Sequence, residues 1–477
     1  MGIGDATHSA YKSPVMGQTR AFPLSVLAFA ALALFCMSGC RDSKAARTPT
    51  ASKLNALHQW GSWRGPLATG EAPHATPPVH WSEQKNIRWK TPLPGVGQST
   101  PIVWGDQIFL TAAIPIGEGF APRPSPAAGA HDNRAVTHRQ QFVVLSVDRG
   151  DGHIRWQRTV HEAIPEEQGH VSATLASASP ATDGERVYAF FGSFGLHALD
   201  MTGALVWQKD LGRMAAKHGH GEGASATLHA GALAVNWDHE GQSFVVVLDA
   251  RTGDERWRKQ RDEVTSWATP IVVEWEGRNQ LIVPGSHRVR AYDLQTGEVI
   301  WECGGLSKNI VASPVAGEGM VFLGSSYEIR SMLGIRLAGA KGDVTGTSHV
   351  AWTRRKGTPY VPSPLLSRGK LHFLRHYQNV LTQVDPKTGL EPSPPLRIPG
   401  LRNIYASPVA ADGRIYITDR EGVTVVLQDG TPPRPLATNR LDEGFSASVA
   451  LVDDLLLLRG EHHLYAISEA LLPDTTP

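Results

Sequence analysis

Histidine and carboxylate side chains concentrate in three short stretches of this 477-residue chain, and these are groups that bind metals. The stretches are HVSATLAS (170–177), KHGHGEG (217–223) and NWDHEG (236–241). Imidazole and carboxylate groups suit Zn²⁺ or another transition metal. A His-x-His pair on a strand would place both rings on one face. The candidate ligand-binding residues in these stretches are His170, His218, His220, Glu222, Trp237, Asp238 and His239.

A structural interpretation of the same residues competes with the metal site. Polar loop residues often cap strand ends, with their rings bonded to backbone carbonyls. The glycines around His218 and His220 leave the geometry of these two rings unfixed. We therefore favour the structural interpretation, predict no cofactor, and keep a bound metal ion as the alternative.

Three further candidates point to a central channel. Trp267, in TSWATP, could line such a channel or pack between repeats. Asn309 in SKNIVASP and Asn403 in LRNIYASP each stand four residues before a Ser-Pro pair. If an inner strand begins at both places, the two amides face the same end of the channel, although turn capping would leave the same pattern.

The elements that position these residues include a recurring β-hairpin. DRGDGHIRW (148–156), DARTGDERW (249–257) and DLQTGEVIW (293–301) share one spacing, DMTGALVW (200–207) is one residue shorter, and DPKTG (385–389) lacks the Trp. The Asp can bond backbone N–H groups two residues on, and the Gly can adopt the positive φ of a tight turn. The Trp offers a large face for burial between repeats.

A second pattern accompanies the hairpins: a small residue, Pro, an apolar strand, a turn and another apolar strand. It occurs eight times, with Pro replaced in two copies, at Pro101, Pro180, Ala226, Pro270, Pro314, Pro364, Pro408 and Val449. Repeats of about 40–50 residues with about four strands each predict a β-propeller. The fold class is therefore all-β, an eight-bladed propeller of four-stranded antiparallel blades over residues 59–472.

Two segments depart from the repeat. Residues 114–141 lengthen the first interval and are rich in Pro, Gly, Ala and His, so we predict an inserted loop there, with a disordered centre favoured over a functional one. The strand IRWKTPL around Trp89 precedes the first blade, whereas the last repeat ends without an outer Trp strand. This N-terminal strand is predicted to complete the eighth blade and close the ring.

The start of the chain resembles a secretion signal. Basic Lys12 and Arg20 precede a short apolar run, residues 22–35. The following Met-Ser-Gly-Cys resembles a bacterial lipobox, with Met in place of the usual Leu, and predicts a lipoprotein signal peptide over 1–40 with lipid on Cys40. An ordinary signal peptide or an anchor helix is the alternative.

The terminal segments, the cysteines and the net charge complete the sequence-based expectations. Residues 41–58 are predicted to be a flexible tether, and 473–477 a tail. With Cys36 removed and Cys40 lipidated, Cys303 is the remaining thiol, which allows no internal disulfide and is predicted to be buried and inert. A net charge of +1 gives no drive toward nucleic acid, and we expect a monomer.

The repeats resemble the pyrroloquinoline-quinone (PQQ)-like β-propeller family from about Trp60 to Ile467. That repeat occurs in quinoprotein alcohol dehydrogenases and in the outer-membrane barrel assembly lipoprotein. WGSWRGPLATG, NWDHEGQSF, TSWATP, GTPYVPSPLL and YASPVAADGRIYITDREG are similar to an extracytoplasmic bacterial group of this family that has no assigned reaction.

The resemblance does not bring the cofactor with it. A quinoprotein needs a Trp face for the quinone, oxygen ligands for Ca²⁺ and an Asp base. The sequence has no adjacent Cys pair, no C-x-x-C-H haem motif and no Asp-x-Asp cluster in the expected channel strands, so PQQ with calcium is not expected.

These observations predict an extracytoplasmic, lipid-anchored propeller on the periplasmic face of a bacterial cell envelope. It would act as a binding or scaffolding protein for an envelope protein or a polymer, without catalysis. The alternatives are a quinoprotein-like or metal-dependent envelope enzyme, and an outer-membrane protein assembly factor.

Overall fold

Short, β-branched strands separated by Gly-rich turns assemble into eight antiparallel sheets, which follow one another in sequence around a ring. The computed structural model describes residues 56–469. The predicted signal peptide, Cys40, residues 41–55 of the predicted tether and the predicted tail at 473–477 lie outside the described residues. The prediction of an eight-bladed all-β propeller is confirmed.

The first four blades contain most of the candidate residues. Blade 1 comprises β2 (Ile102–Trp104), β3 (Gln107–Ile116), β4 (Arg139–Asp148) and β5 (Ile154–Ala163). Blade 2 comprises β6 (Ala181–Thr182), β7 (Arg186–Phe190), β8 (Leu196–Asp200) and β9 (Leu205–Lys209). Blade 3 comprises β10 (Thr227–His229), β11 (Ala232–Trp237), β12 (Phe244–Asp249) and β13 (Glu255–Gln260). Blade 4 comprises β14 (Ile271–Trp275), β15 (Arg278–Val283), β16 (Val289–Asp293) and β17 (Val299–Cys303), joined in parallel by β21 (Gly342–Asp343). Two short 3₁₀ helices, η1 (Gly192–Phe194) and η2 (Lys217–Gly219), interrupt the loops.

The other four blades repeat the plan. Blade 5 comprises β18 (Val315–Gly317), β19 (Met320–Ser325), β20 (Ser331–Arg336) and β22 (Val350–Arg354). Blade 6 comprises β23 (Leu365–Ser367), β24 (Lys370–Leu374), β25 (Val380–Val384) and β26 (Leu396–Arg397). Blade 7 comprises β27 (Val409–Ala411), β28 (Arg414–Thr418), β29 (Val423–Gln428) and β30 (Arg434–Arg440). Blade 8 comprises β31 (Ala450–Val452), β32 (Leu455–Arg459), β33 (His463–Ile467) and the N-terminal β1 (Ile87–Pro92).

The N-terminal strand closes the ring as predicted. β1 pairs antiparallel with β33, with Trp89 opposite Ala466, and becomes the outer strand of blade 8. Pairing the start of the propeller with its last repeat removes a free sheet edge and ties both ends of the domain together. No helix of residues 56–469 is long and apolar enough to cross a membrane.

The Trp of the recurring hairpin joins neighbouring blades. Trp207 of blade 2 donates its indole N–H to the carbonyl of Ala250, next to Asp249 in the turn of blade 3, at 3.0 Å. Its ring covers Gly253, where an added Cβ would lie 2.8 Å from the indole. The same pair of contacts recurs for Trp89 on the Gly152 turn, Trp156 on the Gly203 turn, Trp257 on the Gly297 turn and Trp352 on the Gly389 turn. The glycines are thus required both for positive φ and for contact with the preceding blade.

The residue before each Pro marker joins the blades at the channel. The backbone N–H of one blade donates to the Ser or Thr hydroxyl at the same position of the next blade, at 2.8–3.0 Å. The acceptors in order are Ser179, Ser225, Thr269, Ser313, Ser363, Ser407 and Ser448. At the junction of blades 8 and 1, the buried guanidinium of Arg459 instead bonds the carbonyl and hydroxyl of Ser99.

The segment before β1 crosses the channel. Trp60 pairs with Val103 of blade 1, and Gly61 accepts a hydrogen bond from Thr182 of blade 2. Arg64, which is 2% exposed, then donates to the carbonyls of Pro364 and Pro408, which precede the inner strands of blades 6 and 7. Blades 2 and 6 stand opposite each other in an eight-membered ring, so residues 61–70 cover one end of the channel.

The inserted segment is shorter than predicted, because β3 and β4 pair as far as Ile116 and Arg139. Between them the chain forms an isolated bridge from Arg123 to a buried Val136. The centre, where we expected disorder, instead packs onto the loops before blades 2 and 3. Such loop-to-loop contact leaves no periodic signal in the sequence.

Candidate functional site

A funnel-shaped cavity of about 410 Å³ occupies the channel, with Trp63 of the covering segment among its lining residues. Channel hydroxyls such as Ser179, Ser225 and Thr269 form part of its wall. The loops that precede the Pro markers surround its open end, which we call the funnel mouth.

One side of the funnel mouth is aromatic. Tyr327, Tyr360, Tyr377 and Tyr405 line the cavity from the loops of blades 5 to 7. Tyr360 stacks on His376 with ring centroids 4.7 Å apart, and meets Tyr377 edge-on at 5.3 Å. Tyr377 is 65% exposed, so part of this aromatic surface is available for contact with a ligand.

The opposite side of the mouth carries imidazoles, as the sequence suggested for three of them. His170, His218 and His220 line the cavity together, and His131 of the inserted segment joins them. The ring centroids of His170 and His220 lie 4.8 Å apart, and those of His218 and His220 lie 5.5 Å apart. His131 lies 4.9 Å from His218 and 4.8 Å from His220.

The local backbone of this cluster differs from the expected strand. Lys217–Gly219 form a 3₁₀ turn, within which His218 has a φ of +57°. A non-glycine residue in that region stores strain, which the surrounding structure must hold. Burial lowers the pKa of His220 to about 4, and the nearby imidazoles of His170 and His131 act in the same direction. Burial also lowers the pKa of His170. Both rings are therefore neutral near pH 7.

Glu222 lies behind this histidine cluster. Its carboxyl accepts hydrogen bonds from the backbone N–H and the hydroxyl of Ser193 at 2.6 and 2.5 Å. Burial raises the pKa of Glu222 to about 7, against the effect of these two bonds. Both carboxyl oxygens of Glu222 are therefore hydrogen-bonded to Ser193 and fix the position of that residue.

The structure places Trp237, Asp238 and His239 away from the funnel. Trp237 is buried and stacks on Phe244 with ring centroids 5.5 Å apart. Asp238 is fully buried and forms a two-pronged ion pair with Arg261, with N–O distances of 2.8 and 3.0 Å.

His239 has both ring nitrogens occupied. Nδ1 accepts from the backbone N–H of Ala215 at 3.0 Å, and Nε2 faces the Gln242 carbonyl at 3.2 Å. These contacts match the loop-capping interpretation given above.

The remaining candidates divide between two cavities. Trp267 lines the funnel and donates its indole N–H to the carbonyl of Gly221 at 2.7 Å. Asn309 also lines the funnel, where its side-chain oxygen accepts from Lys217 at 3.0 Å. Asn403, at the matched position, lines a separate cavity between blades 6 and 7 and donates to Glu421 at 3.0 Å. Both asparagines have positive φ, so each also shapes a turn.

Among the described residues, one group has metal-ligand atoms all within 4.8 Å of one another: Asp148, Asp151 and His153. It lies in the exposed hairpin turn of blade 1. Asp148 Oδ1 accepts from the backbone of Gly150, and Asp151 Oδ1 accepts from both the backbone and the ring of His153. These hydrogen bonds form the turn, and the turn explains why the three side chains lie close together.

Sequence reasoning missed His131, the four tyrosines and Trp63. His131 stands in the segment assigned to a loop, and its own neighbours carry no pattern that indicates contact with residues 218 and 220. Two of the tyrosines could have been noticed in the sequence, because Tyr360 and Tyr405 lie within four residues before Pro364 and Pro408.

Comparison with known proteins places this architecture in a family. The family model described as outer membrane protein assembly factor BamB matches residues 77–236, 140–392 and 241–470. No curated protein matches the sequence.

Solved structures share the fold at low identity. Quinohemoprotein alcohol dehydrogenase from Comamonas testosteroni is 11% identical, with a TM-score of 0.58 over 89% of this chain and 83% of that one. A europium-containing methanol dehydrogenase is 10% identical, with a TM-score of 0.56 over 85% of this chain and 90% of that one. BamB from Moraxella catarrhalis is 14% identical, with a TM-score of 0.49 over 76% of this chain and 97% of that one. The matches of the family model span most of the propeller, and the chain therefore belongs to the PQQ-like repeat family described by the outer membrane protein assembly factor BamB.

Proposed function

We propose that this protein is an extracytoplasmic, lipid-anchored binding or scaffolding propeller that holds an envelope protein segment or a polymer at its funnel mouth and does not itself catalyse a reaction. The observation that carries the proposal is the tyrosine surface across a cavity lined with hydroxyls. Tyrosines provide large contact faces at a small cost in side-chain entropy, and hydroxyls provide adaptable hydrogen bonds.

The position of Tyr377 allows a direct test. A photo-reactive benzophenone amino acid replaces Tyr377 in cells, and the same group replaces Leu390, which is 69% exposed on the outer hairpin of the same blade. We expect a discrete cross-linked adduct from position 377 that Tyr360→Ala weakens, and none from position 390. Equal cross-linking at both positions would argue against a binding role for the funnel mouth.

The proposed lipid anchor is tested separately. Cys40→Ala should release the protein from the membrane as a precursor or as a soluble form. A variant that remains membrane-bound at the wild-type size would contradict lipidation at Cys40.

A role in outer-membrane protein assembly is the second candidate, and the family match to an assembly factor favours it. In that case the adduct at position 377 would contain an outer-membrane assembly component. An adduct with another envelope protein or with a polymer would exclude this candidate and keep the binding function.

The quinoprotein alternative has less support from the residues of the funnel. The carboxyl groups that line the funnel are those of Asp132 and Glu222, and both oxygens of Glu222 are bonded to Ser193. A Ca²⁺ ion bound beside a quinone requires several oxygen ligands at one point. These residues do not fit PQQ with calcium, so we expect neither a quinone absorption band nor dye reduction after incubation with both.

A further inference from the structure

Four histidines from three separate chain segments meet at the funnel mouth, and backbone hydrogen bonds hold these segments together. The N–H of Val171 donates to Asp132 at 2.8 Å, and the N–H of His170 donates to His220 at 3.2 Å. The Asn133 side chain donates to the carbonyl of His218 at 2.7 Å. These hydrogen bonds fix the three chain segments relative to one another, and the segments in turn bring the four rings together.

Close approach of these segments depends on Gly219. A Cβ at this residue would lie 2.2 Å from Ser125 Oγ and 3.0 Å from Asn133 Nδ2, both in the inserted segment. The flexible glycine next to His218, which weakened the ligand hypothesis in the sequence, is the residue that allows the inserted segment to deliver His131.

Four of the six ring-to-ring separations fit tetrahedral coordination, and the pairs His131–His170 and His170–His218 are not in ring contact. The four contacts within the cluster have centroid separations of 4.8–5.5 Å and interplanar angles of 55–75°. With Zn–N distances of about 2.0–2.1 Å, a ring centroid lies about 3.2 Å from the metal and two centroids lie about 5.2 Å apart. Inclined rings at this spacing can direct one nitrogen each toward a common centre.

The opposite ring nitrogens already have partners of the kind that metal-bound histidines use. Nδ1 of His131 faces the carbonyl of Gly129 at 2.9 Å, and Nδ1 of His218 faces the carbonyl of Ala128 at 3.4 Å. Nδ1 of His170 faces the hydroxyl of Ser172 at 2.6 Å and also accepts the backbone N–H of Ser172 at 3.1 Å. The carbonyl contacts of His131 and His218 orient a ligating ring and leave Nε2 for the metal. In His170 the ring must shift its proton from Nε2 to Nδ1, where the Ser172 hydroxyl can accept it, before Nε2 can bind a metal. Nε2 of His220 is buried and has no hydrogen-bond partner among the described residues, which is an unfavourable state for a neutral imidazole.

We propose that His131, His170, His218 and His220 bind one divalent transition-metal cation of the zinc class through Nε2. Nitrogen donors select Zn²⁺ and its neighbours over Ca²⁺ and Mg²⁺, which require oxygen. Coordination requires the rings to rotate, because no three of these histidines have ring nitrogens mutually within the 4.8 Å found for Asp148, Asp151 and His153. The inference rests on the proposed binding function, since the metal would shape the same funnel mouth that receives the ligand.

Metal binding can be measured without knowledge of the ligand. Protein purified without a polyhistidine tag and stripped of metal is titrated with Co²⁺, and Zn²⁺ is then used to displace it. We expect one Co²⁺ per chain with the intense visible absorption of tetrahedral coordination. His131→Ala and His220→Ala should each weaken binding by on the order of 100-fold or more, beyond the effect of losing an outer-shell partner.

His153→Ala is the matched control, because it removes a histidine from the Asp148, Asp151 and His153 group in the exposed turn of blade 1. It should leave Co²⁺ affinity unchanged, and His131→Ala should leave thermal stability unchanged, since His131 is exposed on the inserted segment. Absence of binding, octahedral absorption, or loss of binding only in His153→Ala would overturn the proposal. If Co²⁺ binding fails while the cross-link at position 377 persists, the metal site is wrong and the binding function stands.

Discussion

The contact between Gly253 and Trp207 allows the two roles of the hairpin glycine to be separated. Gly253 has a φ of +77°, and an added Cβ would lie 2.8 Å from the Trp207 ring. Gly277, in the turn of blade 4, has a φ of +76° and no atom within 4 Å of an added Cβ. The same substitution at these two positions therefore imposes similar backbone strain, but a steric conflict at one position only.

The expected magnitudes follow from these distances. Gly277→Ala should lower the free energy of unfolding by about 1–2 kcal/mol, the cost of a Cβ in the left-handed region. Gly253→Ala should add an overpacking cost of about 1–3 kcal/mol, because the indole is held by its hydrogen bond to Ala250 and cannot withdraw freely. The total at Gly253 is then about 2–5 kcal/mol.

The difference in unfolding free energy between the two variants can be measured by urea denaturation monitored by Trp fluorescence, provided the m-value stays that of the wild type. In a Trp207→Ala background the conflict disappears, and Gly253→Ala should then cost about 1–2 kcal/mol. If Gly253→Ala costs no more than Gly277→Ala in the wild-type background, the explanation of the repeated glycine by contact with the neighbouring blade is wrong.

Three other variants test the framework around the funnel. Trp257→Ala should lower the free energy of unfolding by about 3–5 kcal/mol, because it removes a buried indole that donates to Leu294, and calorimetry should show this as a lower Tm. Arg64→Met leaves the carbonyls of Pro364 and Pro408 without their donor and should cost about 3 kcal/mol or more in urea denaturation, whereas a change below about 1 kcal/mol would contradict a structural role for the covering segment. Burial lowers the pKa of His197 to about 4, so the unfolded chain binds the extra proton first and stability falls by roughly 3 kcal/mol as the pH drops from about 6.5 to 4. His197→Leu should flatten that decline in denaturation curves recorded across this pH range, and an unchanged decline would refute the assignment.

The repeats were predictable because each one carries its own local signal. The turn from Asp249 to Gly253 specifies a hairpin wherever it stands, and eight Pro markers at similar spacing specify a ring. The partner of each Trp was not predictable in the same way, because a neighbouring blade some 40 residues on supplies it, as Ala250 does for Trp207.

The candidate site was predictable only in part, for a related reason. His218 and His220 were selected by residue type, and they do line the funnel with His170. Asp238 was selected on the same grounds, yet it pairs with Arg261, 23 residues away in the sequence. A carboxylate and a guanidinium that follow the ends of β11 and β13 neutralise each other after folding, and nothing within NWDHEG distinguishes that outcome from a ligand role.

The segment that covers the channel determines how a ligand can reach the funnel. Arg64 is bonded to the carbonyls of Pro364 and Pro408, and Gly61 is bonded to blade 2 on the far side, so the chain spans that end of the passage. We expect this segment to prevent a long polymer from threading through the ring, so that entry and exit share the funnel mouth. The part of a ligand that reaches Trp63 would then be a chain end or a side branch, and we expect the protein to select such termini over internal segments.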